Sequence, residues 1–330
     1  RYGIPYIIMD EGWSASTTDV FHPNPDLDLQ ELIAYGRERN VQIVLWLTWL
    51  AVEKDMDRLF ATLEEWGIPG VKIDFMDRSD QWMVGYYERV MKCAARHRLF
   101  VDMHGSYTPK GLYRTYPNLL TYEGVLGMEQ GARCKPENSN WLPFIRNAVG
   151  PMDFTPGTFD ILYENTRNSP RRKLWNCGPE VDMRVNTTLA KQIAEWVIIY
   201  SPVQMASDLI ENYEGHPAFR FFRDFDADCD WSRALAGEPG EFVAVVRRAG
   251  ENYFLGAATD EQPRTLSLPL DFLKPGTKYR ATIYADGPDA DWKTNPTSYT
   301  ISEREVSSAD TLEVAMAPGG GQAVSFMPAI

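Results

Sequence analysis

Residues 66–77 read WGIPGVKIDFMD, and this stretch decides the fold. Gly67 ends a helical pattern over 53–66, and the apolar strand GVKIDF begins three residues later. Another helical pattern follows at 80–97. A helix, a buried strand and a second helix in succession are typical of a parallel β-sheet whose strands are connected by helices.

The same alternation extends in both directions from this stretch. Further helical patterns occupy 27–39 and 187–200. Strands are predicted at 5–10, 42–47, 70–75, 99–105, 119–125, 151–156 and 203–208. Because a closed parallel barrel has eight strands, we predict a (β/α)8 barrel over residues 1–235, with its first strand upstream of Arg1.

The pattern of predicted secondary structure changes after about residue 235. Short alternating strands such as YRATIYADG, residues 279–287, are separated by Gly, Pro and Asp turns, and no helical pattern intervenes. This predicts a small antiparallel β-sandwich over residues 236–330. The long polar segment 157–186 precedes it, and loops of this length usually cover a functional site.

Composition excludes several classes of function. The net charge of −13 disfavours binding to nucleic acid or an anionic membrane surface, and no run of eighteen apolar residues predicts a membrane span. Ten Trp, sixteen Tyr and fifteen Phe suit stacking on sugar rings, although most aromatic side chains fill a core. The four cysteines lack C-x-x-C spacing, so neither a zinc site nor a disulfide scaffold is expected.

Two groups of motifs carry no prediction of function. The stretch DFDADCD, residues 224–230, alternates acids as a calcium loop does, but Cys229 stands at the glycine position and Leu235 at that of the bidentate glutamate. We interpret it as a solvated loop. G-x-G-x-x-G, P-loop and G-x-S-x-G motifs are absent from the sequence.

The carboxyl ends of the predicted strands concentrate acidic and aromatic residues, as the mouth of a carbohydrate-cleaving barrel would. Lys72 and Asp74 are two residues apart, so both point to one face of their strand. The ammonium favours an ionised carboxylate, which could attack an anomeric carbon, although a structural ion pair would look the same. Other strand-end candidates are Asp10, Glu11, Trp13, Trp46, Trp49 and His104.

The stretch TYEGVLGMEQ, residues 121–130, supplies two further acids, Glu123 and Glu129. Glycosidases need a protonated acid for the leaving oxygen in addition to a nucleophile or base. Either glutamate could provide it, and both could equally be solvated loop acids.

Four stretches together resemble glycoside hydrolase family 97. They are GIPYIIMDEGW (3–13), GVKIDFMDRSDQ (70–81), VDMHGSYTPKG (101–111) and TYEGVLGMEQ (121–130). The resemblance implies a barrel over roughly residues 1–235 and a C-terminal domain after it. It also implies a further N-terminal β-sandwich domain outside this sequence, which contributes a calcium-binding glutamate, and a periplasmic or extracellular location.

The resemblance also implies roles for individual residues. Retaining members of the family carry an aspartate nucleophile on strand four, whereas inverting members have a glutamate base at the end of strand five. Here strand four ends in Asp74 and strand five ends MHG without a glutamate, so the chain resembles a retaining member. Glu129 matches the general acid/base, and Glu123 and Glu129 match ligands of Ca²⁺. The similarity of MDEGW to the D-D-G-W motif of α-galactosidases implies that Asp10, Glu11 and Trp13 contact the sugar.

The function implied is an exo-acting, retaining α-galactosidase that cleaves α-linked oligosaccharides through a covalent glycosyl-enzyme. A β-L-arabinopyranosidase is an alternative, because that sugar has galactose's ring stereochemistry without the hydroxymethyl group. An α-glucosidase is a third. A non-catalytic carbohydrate-binding protein is the alternative from another class, and it would not need Lys72, Asp74 and Glu129 together.

Overall fold

The computed structural model describes residues 2–164 and 184–329. The chain forms two compact units, Arg1–Val125 with Val149–Asp153, and Leu126–Ala148 with Phe154–Ile330. Most of the predicted site-covering segment 157–186 lies outside the described residues. Among the described helices, none is long and apolar enough to cross a membrane.

The first unit is built on a parallel sheet. Its strands are β1 (Tyr6–Met9), β2 (Ser14–Ser16), β3 (Asp19–Pro23), β4 (Gln42–Thr48), β5 (Gly70–Asp74), β6 (Phe100–Met103) and β7 (Leu119–Tyr122). Its helices are α1 (Leu29–Glu38), α2 (Trp49–Lys54), α3 (Met56–Trp66), α4 (Gln81–Arg96) and α5 (Leu112–Thr115). Five strands pair in the order β1-β4-β5-β6-β7, all parallel, while β2 and β3 form a separate hairpin.

The two faces of this sheet have different chemistry. Val71 and Ile73 of β5 belong to the apolar core, together with side chains of α3 and α4 such as Leu63 and Tyr87. Because side chains alternate along a strand, the intervening residues face the other way. Trp46, Lys72 and Asp102 are register partners on neighbouring strands, so they form one row on that second face.

The helix boundaries follow the local sequence signals. Asp80 caps α4 by accepting hydrogen bonds from the backbone N–H groups of Trp82 and Met83. Gly67 ends α3 in the left-handed region at φ +79°, and its N–H donates to the carbonyl of Glu64. The helix end predicted at Gly67 is therefore confirmed.

Five of the seven predicted parallel strands are present, and the predictions at 151–156 and 203–208 are wrong. Pro151 and Pro156 have no N–H to give to a neighbouring strand, and Thr155 has a positive φ of 59°. In the segment 203–208, hydrogen bonds that involve side chains replace those of a strand partner. The Trp196 indole donates to the Met205 carbonyl, and the Gln204 amide donates to the carbonyl of Trp196.

The second unit contains antiparallel sheets and short helices. Its strands are β8 (Trp231–Glu238), β9 (Phe242–Ala249), β10 (Asn252–Thr259), β11 (Arg264–Pro269), β12 (Tyr279–Asp286), β13 (Tyr299–Val306), β14 (Thr311–Met316) and β15 (Gly321–Pro328). Its described helices are α6 (Pro136–Trp141), α7 (Leu189–Ile198), α8 (Ile210–Tyr213) and α9 (Arg220–Asp224). A six-stranded sheet, β13-β12-β15-β10-β9-β8, shares a core with the β11–β14 pair.

The predicted antiparallel region is therefore present, and its first strand begins at Trp231. The predicted domain boundary between residues 235 and 236 falls inside β8, and the division there stays a prediction. Helix α7 is buried along its whole length, and it packs closely on β10, where the Cβ of a side chain at Gly256 would meet the Ala194 carbonyl at 2.5 Å.

Candidate active site

Asp74 ends β5 with its carboxylate held from two sides. The indole N–H of Trp46 donates to Oδ2 at 2.9 Å, and the backbone N–H of Phe75 donates to Oδ1 at 2.6 Å. The side chain is only 7% exposed. Burial opposes ionisation, but His104, Trp46 and the Phe75 amide together lower the pKa of Asp74 below its ordinary value. Asp74 is thus a charged and immobile carboxylate.

The backbone after Asp74 is folded tightly to make this contact. Phe75 adopts a left-handed conformation at φ 67°, which turns its amide onto the carboxylate. Its ring is 53% exposed and meets the Trp46 indole edge-on, with centroids 5.5 Å apart. A strained, exposed aromatic residue beside a buried carboxylate is a feature that active sites tolerate and folds alone rarely need.

Lys72 lies one row below Asp74, with its ammonium 3.8 Å from a carboxylate oxygen of Asp10. Burial lowers the pKa of Lys72, but the surrounding carboxylates, first Asp153 and then Asp102, raise it above the ordinary value. Lys72 is therefore cationic at neutral pH. Lys72 and Asp74 were predicted to share one face of their strand, and Asp10, another predicted site residue, lies beside Lys72.

His104 follows β6 and is surrounded by acids. Its Nδ1 lies 3.6 Å from Asp74 Oδ2 and 3.7 Å from Glu123 Oε2, and its Nε2 lies 3.6 Å from Asp153 Oδ2. Burial and the charge of Lys72 lower the pKa of His104, but the carboxylates around it raise this pKa to about 9. Glu123 is fixed separately, because its Oε2 accepts the backbone N–H of Gly105 at 2.7 Å.

Two buried aspartates complete the polar face. Asp102 and Asp153 are each 1% exposed, and within the described residues none of their carboxylate oxygens has a hydrogen-bond partner. Burial, reinforced by the charge of Asp153, raises the pKa of Asp102 well above its ordinary value. Sequence reasoning did not assign either residue a role. The signal for Asp102 was available, since FVDMHG alternates Asp102 and His104 in the same way as VKID alternates Lys72 and Asp74.

The other residues predicted to contact sugar occupy different surroundings. Trp13 is 2% exposed and donates its indole N–H to the Trp46 carbonyl at 2.7 Å. The ring of Trp49 packs against Trp82 and Tyr86 of α4. Glu11 is exposed, and its backbone N–H donates to Asp10. Of the predicted aromatic residues, Trp46 alone touches Asp74 among the described contacts, and roles for the others stay predictions.

Glu129 belongs to the second unit, in a short 3-10 segment, Met128–Arg133, and its side chain is exposed. Asp74 and Glu123 belong to the first unit. Retaining chemistry predicts that the carboxyl groups of Asp74 and Glu129 lie roughly 5–6 Å apart, and this separation stays a prediction. The role of Glu123 and Glu129 as ligands of calcium also stays a prediction.

Chemically, the first unit combines an ionised carboxylate with two cationic donors on one sheet face. An ionised carboxylate can act as a nucleophile or stabilise a developing cation. Lys72 and His104 can donate hydrogen bonds to hydroxyl groups, and exposed Phe75 offers an apolar ring for the C–H face of a sugar. The set suits a polar, neutral substrate with several hydroxyl groups.

Known proteins are similar to this chain in sequence and in fold. The family model of glycoside hydrolase 97 matches residues 1–125, and that of the glycosyl-hydrolase 97 C-terminal, oligomerisation domain matches residues 228–327. A retaining α-galactosidase of Bacteroides thetaiotaomicron is 35% identical over 98% of this chain and 48% of its own length. A probable retaining α-galactosidase of Streptomyces bingchenggensis is 34% identical over 97% of this chain and 47% of its own.

Solved structures agree. A family 97 enzyme from Pseudoalteromonas sp. strain K8, in complex with acarbose, is 34% identical with a TM-score of 0.89, covering 100% of this chain and 54% of that one. A β-arabinopyranosidase is 23% identical with a TM-score of 0.79, over 98% of this chain and 51% of that one, which shows a shared fold. The chain spans about half the length of the curated relatives it matches. On these matches at both ends of the sequence, the chain belongs to glycoside hydrolase family 97.

Proposed function

We propose that the protein containing this chain is a retaining, exo-acting α-glycoside hydrolase whose substrates are α-galactosides. The observation that carries the proposal is the state of Asp74. This carboxylate is buried, ionised and fixed by the Trp46 indole and the Phe75 amide at the carboxyl end of a parallel strand. A retaining glycosidase needs its nucleophile in that state and position.

In the proposed mechanism, an oxygen of Asp74 attacks the anomeric carbon and the bond to the leaving oxygen breaks. Glu129 gives its proton to that oxygen, and a covalent glycosyl-enzyme forms. Glu129, now a base, takes a proton from water, whose oxygen displaces Asp74 and releases the sugar with its α configuration retained. Lys72 and His104 hold hydroxyl groups of the sugar, and the positive charge of His104 keeps Asp74 ionised.

The choice of α-galactosides rests on the named relatives and on one position. The two curated relatives are a retaining and a probable retaining α-galactosidase. Strand β6 is followed by His104 and Gly105, where the family resemblance places a glutamate base in inverting members. The alternatives are β-L-arabinopyranosides and α-glucosides. The α-glucoside alternative gains support from the 34% identical Pseudoalteromonas enzyme, which was solved with panose.

We also propose Ca²⁺ as a cofactor, with Glu123 and Glu129 as two of its ligands. Their carboxylates are the donors that this hard cation prefers, and the Gly105 N–H fixes one oxygen of Glu123. When bound, the ion would supply positive charge near the leaving group and restrain Glu129. A ligand from the additional N-terminal domain implied by the family resemblance would complete the site.

The remaining architecture belongs to the same proposal. We propose that the five parallel strands are part of an eight-stranded barrel in the intact protein, and that the protein works in the periplasm or outside the cell. The solved family 97 enzyme, of which this chain covers 54%, supports a larger intact protein.

The test uses full-length protein and a panel of nitrophenyl glycosides, with α-galactoside, β-L-arabinopyranoside and α-glucoside arms. We expect the highest kcat/KM for α-galactoside, and NMR of the first product should show the α anomer. Asp74→Gly should be inactive but recover turnover with azide, yielding a β-glycosyl azide. An initial β anomer, or an Asp74→Gly variant changed only in KM, would contradict the mechanism.

A further inference from the structure

A second cluster of chemically versatile side chains lies on helices α3 and α4, away from Asp74 in the sequence. Asp57 is in the first turn of α3, while Cys93 and His97 are four residues apart at the end of α4. Their ligand atoms all lie within 4.8 Å of one another. We propose that Asp57, Cys93 and His97 bind a tetrahedral transition-metal ion of the Zn²⁺ type, with water as the fourth ligand.

Two distances between the ligand atoms match the edges of such a tetrahedron. Asp57 Oδ1 lies 3.5 Å from Cys93 Sγ and 3.3 Å from His97 Nε2. Zinc bonds of about 2.3 Å to sulfur and about 2.0 Å to nitrogen or oxygen, at tetrahedral angles, give edges of about 3.5 Å and about 3.3 Å. Two edges therefore already have the length that the ion requires, and the third, between Cys93 and His97, is at most 4.8 Å.

The second nitrogen of His97 is placed as zinc-binding histidines require. Its Nδ1 lies 3.1 Å from Glu64 Oε2, so Nε2 faces Asp57. Glu64 is seven residues from Asp57, on the same face of α3. A carboxylate on the far nitrogen of a ligating histidine fixes the ring and raises its basicity.

In the metal-free protein, Arg96 supplies the positive charge beside Asp57 and Cys93. Its guanidinium NH2 lies 2.6 Å from Asp57 Oδ1 and 3.4 Å from Cys93 Sγ, and its side chain is 61% exposed. It can rotate into solvent when an ion enters. Cys93 would bind the ion as a thiolate, so the S–H bond breaks on binding and its proton is released to solution. One thiolate and one carboxylate then neutralise the divalent ion.

The test is a titration of the full chain, without a polyhistidine tag, with Co²⁺ as the spectroscopic probe. We expect one equivalent to give a near-ultraviolet thiolate-to-Co²⁺ band and intense visible bands of tetrahedral geometry, both removed by Zn²⁺. Cys93→Ser should lose the thiolate band. His97→Ala should lose the tetrahedral bands. Asp57→Asn should lose them as well, and because Asp57 is exposed this variant serves as the test if the Cys93 or His97 variant does not fold.

Matched variants separate this site from other thiols. Cys177→Ser and Cys229→Ser, the latter removing a thiol that lies among acids, should keep the spectrum. Glu64→Gln should weaken Zn²⁺ about 10-fold to 100-fold, as loss of an outer carboxylate does. Arg96→Gln should tighten binding. No thiolate band at one equivalent, a band that survives Cys93→Ser, or weaker binding in Arg96→Gln would overturn the proposal and leave a hydrogen-bonded cluster.

Discussion

At the scale of single residues, the position of Asp74 depends on two backbone conformations that side chains alone do not explain. Phe75 is left-handed, and the neighbouring Gly105 is left-handed at φ +52°. A Cβ at Gly105 would lie 2.7 Å from Asp74 Oδ1 and 2.8 Å from the Phe75 nitrogen. Gly105 therefore leaves the space in which the carboxylate and its amide donor meet.

Gly105→Ala should displace Asp74 and lower kcat by about 100-fold, the scale expected for a misplacement of about 1 Å. The control is Gly111→Ala, at φ +85° with nothing within 4 Å of an added Cβ. Gly111→Ala should lose about 1 kcal/mol of stability, because alanine is strained at positive φ. Gly105→Ala should lose more, because its Cβ would also meet the Phe75 backbone. Steady-state kinetics and thermal unfolding of both variants measure the two effects. Equal kcat losses would show that backbone strain, not crowding of Asp74, is responsible.

Glu129→Gln tests the proposed acid. The variant should lose most activity on α-galactosides with poor leaving groups, which need protonation. It should keep more on activated aryl galactosides, whose leaving groups depart without it. Glu137→Gln, an exposed glutamate on α6, is the control and should keep both activities. The measurement is kcat across leaving groups of different basicity, and an equal loss on all of them would remove Glu129 from the role of acid.

The sequence predicted which residues share the polar face better than it predicted the backbone conformations that position them. Alternation along KID was enough to pair Lys72 with Asp74, and the structure places Lys72 beside Asp10. The left-handed turn at Phe75 had no signal, because phenylalanine is not a residue type expected at positive φ. The Asp57–Cys93–His97 cluster was not predicted for another reason. Asp57 is 36 residues from Cys93 in the sequence, and only the packing of their two helices brings these residues together.

At the scale of secondary structure, α7 is unusual because its polar residues are buried with its apolar ones. The Lys191 ammonium donates to the carbonyls of Pro136 and Thr259, at 2.6 Å and 2.9 Å. Glu195 accepts one hydrogen bond from the Gln192 amide, at 2.8 Å, and its Oε1 has no hydrogen-bond partner among the described residues. Burial lowers the pKa of Lys191 to about 8 and raises that of Glu195 to about 7.

The raised pKa of Glu195 predicts a pH-dependent stability. Between its unfolded value of 4.5 and its folded value of about 7, the folded chain keeps a proton that the unfolded chain has lost. Stability contributed by this group therefore falls as pH rises through that window. Glu195→Gln lacks the titration, so its stability relative to wild type should rise by about 2 kcal/mol from about pH 5 to about pH 7. Denaturant unfolding at several pH values measures this difference.

In the control variant for that experiment, the stability difference from wild type should change with pH in the opposite direction. Hydrogen bonds from Lys92 and Tyr116 lower the pKa of the exposed Glu88, so this group stabilises the fold more as pH rises. Glu88→Gln should consequently lose stability relative to wild type as pH rises towards the ordinary value of 4.5, and the difference should stay nearly constant between about pH 5 and about pH 7. A pH-independent difference for Glu195→Gln would mean that Glu195 is ionised throughout.

Secondary structure was predictable where local signals and packing agree. The helices around β5 carry their own caps, Asp80 and Gly67, and the predicted helix at 80–97 is found as Gln81–Arg96. The segments 151–156 and 203–208 have apolar, strand-like composition, yet neither pairs as a strand. Residues 151–154 are buried as irregular chain, and residues 203–206 are half-buried with side chains bonded to their backbone. An apolar composition therefore does not require a strand.

At the scale of the whole molecule, the proposed Ca²⁺ ion would affect activity and stability at once. Bound to Glu123 and Glu129, it would restrain the proposed acid/base, and because it binds the folded protein it would stabilise that state by mass action. Such an ion therefore links activity to stability.

Removing Ca²⁺ from the full-length protein with a chelator should lower both kcat and the unfolding temperature. Ca²⁺ at about 100 times its Kd should restore about 2.7 kcal/mol. Glu123→Gln keeps an oxygen that can accept the Gly105 N–H but removes the charge, so it should bind Ca²⁺ less tightly. Asp226→Asn, in the acidic loop that lacks the calcium-loop glycine, should leave the dependence unchanged. Calorimetric titration with Ca²⁺, beside activity assays in chelator, measures each effect, and full activity in chelator would exclude Ca²⁺ from the mechanism.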